Sequence, residues 1–155
     1  MALTTQQIAE INRFAGHYRQ KSGAAVEALK LVQRSNRWIS NVDLAAVAAL
    51  LNMSPDSLEG VATFHNLIFR RPVGRHVILV CDSVSCWIMG CTNVGGHLRR
   101  RLGVDWGGTT PDDRFTLLPI VCLGACDHAP TLMIDADLHA DVTASGLDRI
   151  LEDYP

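Results

Sequence analysis

The chain has 155 residues, 48% of them hydrophobic and 19% charged, the composition of a globular protein rather than of a disordered or fibrous one. Fourteen Lys and Arg against sixteen Asp and Glu leave a formal charge of -2, which provides no broad cationic surface and argues against a nucleic-acid partner. No apolar run approaches the ~20 residues of a membrane span, and the opening MALTTQQIAEINRF lacks both the leader pattern and the cleavage site of an exported protein, so a cytoplasmic location without direct membrane insertion is expected.

Up to about residue 70 the apolar residues recur at three-and-four spacing, which predicts three or four short helices. Ser22 is the expected cap of a helix that buries Ala25, Leu29 and Val32. After Ser40 and Asn41, residues Leu44, Val47, Ala48 and Leu51 share one stripe. Ser54 followed by Pro55 is a cap and first-turn signal for the next helix. The pattern breaks around Arg71, Pro72 and Gly74, which sets the expected boundary between a helical domain, 1–73, and a second domain, 74–155.

In the second region, His76 to Val80 is short, apolar and β-branched, as a buried strand is. A helix is predicted from Cys91 to Leu102, although Gly95 and Gly96 each cost roughly 1 kcal/mol there relative to Ala. Arg99, Arg100 and Arg101 read as its solvated face. A loop through Gly107, Gly108 and Pro111 leads to strands over Phe115–Val121 and Thr131–Asp135. A short return through Leu138 to Val142 follows, and then a final helix capped by Thr143 with Leu147, Ile150, Leu151 and Tyr154 on one side. The fold class is therefore α+β: helices first, then a small sheet with helices on its faces.

The chemistry lies in the cysteines. An odd count of five in a reducing compartment argues against a disulfide framework. Cys81 and Cys86 stand at the end of one strand, Cys122 and Cys126 at the end of another, so two strand-to-loop junctions each deliver a thiolate pair. Both spacings exceed the two intervening residues usual in zinc knuckles, and two such pairs fit a 2Fe-2S cluster with one pair on each iron. The pattern is more specific for metal than for iron, and the alternative is four small buried hydrophobes near strand ends.

An all-cysteine cluster is anionic, so backbone N–H groups must approach the sulfurs. Gly124 and Ala125, Gly90, Ser83 and Ser85 are small enough to allow it, and Pro130 fixes the exit of the second loop. Cys91 fits neither pair and reads as a packed thiol. Asp82, Asp127 and His128 read as solvated loop residues. No two cysteines have the spacing of a thiol-disulfide enzyme, and no dinucleotide or Walker fingerprint appears. A redox centre without substrate chemistry predicts single-electron relay to or from a cofactor in another subunit, with no catalytic residue in this chain.

These residues resemble a known family, the thioredoxin-like 2Fe-2S subunit of respiratory complex I, which is the E subunit of bacterial NADH-quinone oxidoreductase. The resemblance rests on Leu29-Lys-Leu-Val-Gln33 with Trp38-Ile39, on Glu59-Gly-Val-Ala-Thr-Phe64, and on Pro72-Val-Gly-Arg-His76. It continues through Val80-Cys-Asp-Ser-Val-Ser-Cys86 with Gly90, Arg114-Phe-Thr-Leu-Leu-Pro119, and Cys122-Leu-Gly-Ala-Cys126 with Ala129-Pro130. His65 stands where the family usually has Tyr, and Cys91 where it has no cysteine.

The resemblance implies an N-terminal helical bundle followed by a thioredoxin-like α/β domain, with Cys81, Cys86, Cys122 and Cys126 at the positions of the four cluster ligands. It implies a flavoprotein partner that binds FMN and NADH, and attachment to the inner membrane through the complex. Related small subunits serve NAD-linked formate dehydrogenases and hydrogenases. A free-standing thioredoxin-like ferredoxin is a further alternative, against which the helical extension argues, and a zinc-stabilised module is another.

Overall fold

The structure is a computed structural model that describes residues 3–155. The chain divides into two compact units, Met1–Pro72 and Val73–Pro155, each with its own apolar core.

The first unit is helical: α1 (Thr5–Ala15), α2 (Ala25–Asn36), α3 (Asn41–Leu50) and α4 (Pro55–Phe64). Three of the four starts are fixed by side chains that satisfy free N–H groups. Thr4 and Gln7 form a reciprocal capping box on α1, with bonds of 3.1 and 2.8 Å, and Ser40 and Asp43 form another on α3. Ser54 caps α4 with Pro55 in its first turn, as the sequence predicts.

Ser22 is not the cap of α2. It lies inside a 3-10 turn, Lys21–Ala24, and its carbonyl already accepts the N–H of Ala25, so it lacks the extended backbone that a capping residue needs. The apolar stripes converge as expected, with Ile11, Leu29, Val32, Ile39, Val47, Leu51 and Leu58 fully buried together.

The second unit holds a four-stranded sheet in the order β2-β1-β3-β4, with strands β1 (His76–Cys81), β2 (Phe115–Ile120), β3 (Leu132–Ile134) and β4 (Asp137–His139). β1 and β2 are parallel, and β3 runs antiparallel to β1. A parallel pair needs a crossover, which α5 (Val84–Ile88) and α6 (Cys91–Leu102) supply. Ile78 and Val80 from β1, Leu117 from β2, and Leu132 and Ile134 from β3 pack with Val94 and Leu98 of α6 and with Leu147 and Leu151 of α7 (Leu147–Glu152).

α6 has the predicted limits despite its two glycines. At Gly95 a Cβ would stand 2.8 Å from the Trp106 ring, so close helix-to-ring packing offsets the poor helix propensity. The three arginines at its end are exposed, and Arg99 and Arg101 pair with Asp105 and Asp148 at 2.9 Å. Thr143 does not cap α7: its hydroxyl accepts the N–H of Gly146 in a turn that precedes the helix. Among the described residues, no helix is long and apolar enough to cross a membrane.

Candidate metal centre

The parallel register sets Cys81, the last residue of β1, opposite Ile120, the last residue of β2. Both strands therefore release their chains at the same edge of the sheet, where ligands of such folds gather. The pairing runs on briefly, as the N–H of Asp82 reaches the carbonyl of Ile120 at 3.0 Å and that of Cys81 the carbonyl of Thr131 at 3.2 Å. Cys122 follows two residues beyond Ile120, and Cys126 opens a single 3-10 turn, Cys126–His128.

The two pairs differ in surroundings. Cys81 and Cys86 are each 1% exposed, whereas Cys122 and Cys126 lie open to solvent. Cys86 sits on α5 and is turned inward, with its sulfur 3.6 Å from the hydroxyl of Thr131. Each of the two buried thiols acts on the ionisation of the other, and Thr131 acts on both.

Burial acts to raise the Cys81 thiol, but the N–H groups of Ser83 and Leu123, with Cys86 and Thr131, outweigh it and hold the group below its ordinary value. The Cys86 thiol is pushed up, first by burial and further by Cys81, despite the opposing bonds from Thr131. One buried pair thus holds one acid that ionises easily and one that resists.

Leu123 lies between Cys122 and Cys126, and its N–H favours the ionised Cys81 thiol, so the second loop lies beside the first pair. At Cys122 the sulfur accepts the N–H of Gly124 at 3.3 Å. That turn needs Gly124 at φ 80, a left-handed backbone that costs other residues. Gly90, at φ 96, makes the bend between α5 and α6.

Cys91 is 6% exposed at the start of α6, and burial, then the nearby Cys86, Asp82 and Cys81, push its thiol up. His128 is exposed, its Nδ1 lying 3.0 Å from Asp141. Its pKa is raised by that hydrogen bond and by Asp127.

Among the described residues, no three His, Cys, Asp or Glu side chains converge as a ligand set for a single ion. Cys81 and Cys86 are brought together at Thr131, and thiolates are the soft donors that iron-sulfur groups take. The N–H groups directed at Cys81 and Cys122 suit sulfurs that carry negative charge. The chemistry of this donor set therefore fits an iron-sulfur cluster.

Thr131 escaped the sequence reading, since a threonine at a strand start carries no signal of its own. So did α5, which at five residues is too short to display a helical period.

The sequence profile of the thioredoxin-like 2Fe-2S ferredoxin family matches residues 11–155. The E subunit of NADH-quinone oxidoreductase from Pseudomonas aeruginosa is 49% identical over 138 residues, 89% of this chain and 83% of that one. Its namesake from Escherichia coli is 46% identical over 138 residues, with the same shares of the two chains. That of Buchnera aphidicola is 42% identical over 152 residues, 98% of this chain and 94% of its own. Among solved structures, an NAD+-reducing NiFe-hydrogenase aligns over 84% of this chain with a TM-score of 0.70 at 22% identity. That likeness is one of fold, and this chain spans 22% of the hydrogenase chain.

Proposed function

The chain belongs to the thioredoxin-like 2Fe-2S ferredoxin family, and from that premise we propose that it is the one-electron transfer subunit of an NADH-quinone oxidoreductase, with a 2Fe-2S cluster held by Cys81, Cys86, Cys122 and Cys126. The observation that carries the reading is the meeting of two strand ends: β1 and β2 run parallel to a common end, and the Cys81 sulfur lies 4.0 Å from the carbonyl of Val121, the residue before Cys122. When bound, the cluster supplies reversible uptake of one electron.

The chain's own groups do the rest. Four thiols give up their protons to become ligands. The N–H groups of Ser83, Leu123 and Gly124 offset the negative charge that gathers on the sulfurs. Thr131, the residue before β3, fixes the orientation of the inner pair. The loops contribute Asp82 and Asp127 with one histidine, His128, and no lysine or arginine, and this scarcity of positive charge disfavours an added electron and keeps the reduction potential low.

Relatives that are E subunits of NADH-quinone oxidoreductase, at 42–49% identity over most of their length, favour that complex over a formate dehydrogenase or hydrogenase. The partner proposed is the flavoprotein subunit that carries FMN and oxidises NADH. The chain would lie on the cytoplasmic side, peripheral to the inner membrane through the complex.

Anaerobic reconstitution with iron and sulfide tests this reading. A 2Fe-2S absorbance spectrum and a spin-half EPR signal on reduction are expected in the wild type and in Cys91→Ser, and neither in Cys122→Ser. A protein that takes up zinc but never iron and sulfide contradicts the assignment.

A further inference from the structure

The proposed ligand set takes four of the five cysteines and leaves Cys91 over. Its place is not that of an ordinary packed thiol. Cys91 is 6% exposed and is the first residue of α6, a helix of 12 residues. The backbone of Gly90, at φ 96, turns the chain so that this helix starts directly after α5, which carries Cys86.

The start of α6 is also electrically bare. No side chain caps it, and among the described residues the N–H groups of Cys91 and Thr92 meet no acceptor. Free N–H groups and aligned peptide dipoles leave such a helix end with about half a positive charge. The groups that act on the Cys91 thiol through their charge are Cys86, then Asp82 and Cys81, so this positive end lies beside the inner cysteine pair. Between Arg75 and Arg99 the sequence has no lysine or arginine. Of the two histidines there, His76 stands at the other end of β1 and His97 lies 3.5 Å from Asp148.

We propose that Cys91 is a positioning residue for the redox centre: a neutral thiol at the positive end of α6, it directs its S–H toward the inner sulfurs and eases the uptake of the electron. The role rests on the proposed cluster and adds a residue outside its ligand set. A reduced centre carries one more negative charge than an oxidised one, so a donor aimed at its sulfurs stabilises the reduced state more and raises the potential. The thiol keeps its proton at neutral pH, because a free cysteine ionises near about 8.5 and burial pushes Cys91 up.

The test uses the full chain, reconstituted with iron and sulfide and titrated against redox mediators by EPR. Cys91→Ala and Cys91→Ser leave nearly the same space, but only serine keeps a donor. At the wild-type midpoint, the ratio of reduced to oxidised Cys91→Ala should fall about threefold, roughly 30 mV for one electron, while Cys91→Ser should match or exceed the wild type. Equal falls in both variants, as lost packing alone would give, overturn the proposal, and so does no fall in either. Infrared difference spectra between the oxidised and reduced wild type give a second readout. With four thiols deprotonated as ligands, Cys91 holds the only S–H of the loaded chain, and its stretch should move to lower frequency on reduction. A stretch that stays in place overturns the proposal. Loss of the cluster in both variants would make Cys91 a ligand and overturns it as well. A wild-type chain that takes up no cluster fails the electron-transfer reading itself and takes this role with it.

Discussion

The inner and outer cysteine pairs are the same residue type put to one proposed use, yet the fold treats them oppositely. Cys81 and Cys86 are carried by a strand and a helix, are almost wholly buried and share Thr131. Cys122 and Cys126 ride on a loop and are exposed. The inner pair is part of the packing of the second unit before any ligand arrives, whereas Cys122 accepts the N–H of Gly124 in an exposed turn and Cys126 opens the 3-10 turn that follows. Such a division lets half of a binding site be rigid while the other half stays accessible to an incoming ligand.

The sharpest way to break this comparison is to remove one thiol from each pair in metal-free protein. Cys86→Ala strips a buried hydroxyl of its partner and opens a small gap, and should cost about 1–3 kcal/mol. Cys122→Ala, at an exposed site, should stay within about 0.5 kcal/mol of wild type. Denaturant unfolding of the two variants decides, and equal losses would mean that the pairs do not differ as their burial suggests. After reconstitution both variants should fail to hold the cluster.

How much of this was readable beforehand follows from where each residue sits. The strand ends that carry Cys81 and Cys122 were legible because β-branched and apolar runs mark both strands. The cap at Ser40 and the Ser54-Pro55 start were legible because capping chemistry is local. Ser22 and Thr143 misled for one shared reason: each is a capping residue type used in a turn just before a helix, and only the backbone conformation separates the two uses. Thr131 and Leu123 act through contacts distant in sequence, as when Thr131 meets Cys86 across a separation of 45 residues, and no local pattern encodes such contacts.

The outer loop has its own weak point. Gly124 adopts φ 80 with no atom within 4 Å of a would-be Cβ, so Gly124→Ala meets no clash and pays only for the left-handed backbone, about 1–2 kcal/mol. That strain falls on the turn that directs its N–H to Cys122. Cluster loss to an iron chelator should quicken accordingly, and Gly124→Asn should recover part of the loss because Asn tolerates this conformation. Unchanged release in the Ala variant would place the stability of the outer half elsewhere than in this turn.

The start of β1, away from the cysteines, offers a control that metal chemistry does not touch. There His76 pairs with Asp135 at 2.7 Å, and the hydroxyl of Tyr154 donates to Asp137 and meets His139, each at 2.9 Å. Tyr154 is pushed up to about 12, first by burial, then by its bond to Asp137 and by the acids around it. In the unfolded chain it titrates near about 10. Because the folded value is the higher, this contribution is fully present below about pH 10 and is lost as pH rises through about 12. Tyr154→Phe should cost about 1 kcal/mol at neutral pH, and its stability gap to wild type should close across that alkaline window. A gap that stays constant there would mean that the hydroxyl keeps its proton equally well in the unfolded chain, and that the acids around Tyr154 do not act on it.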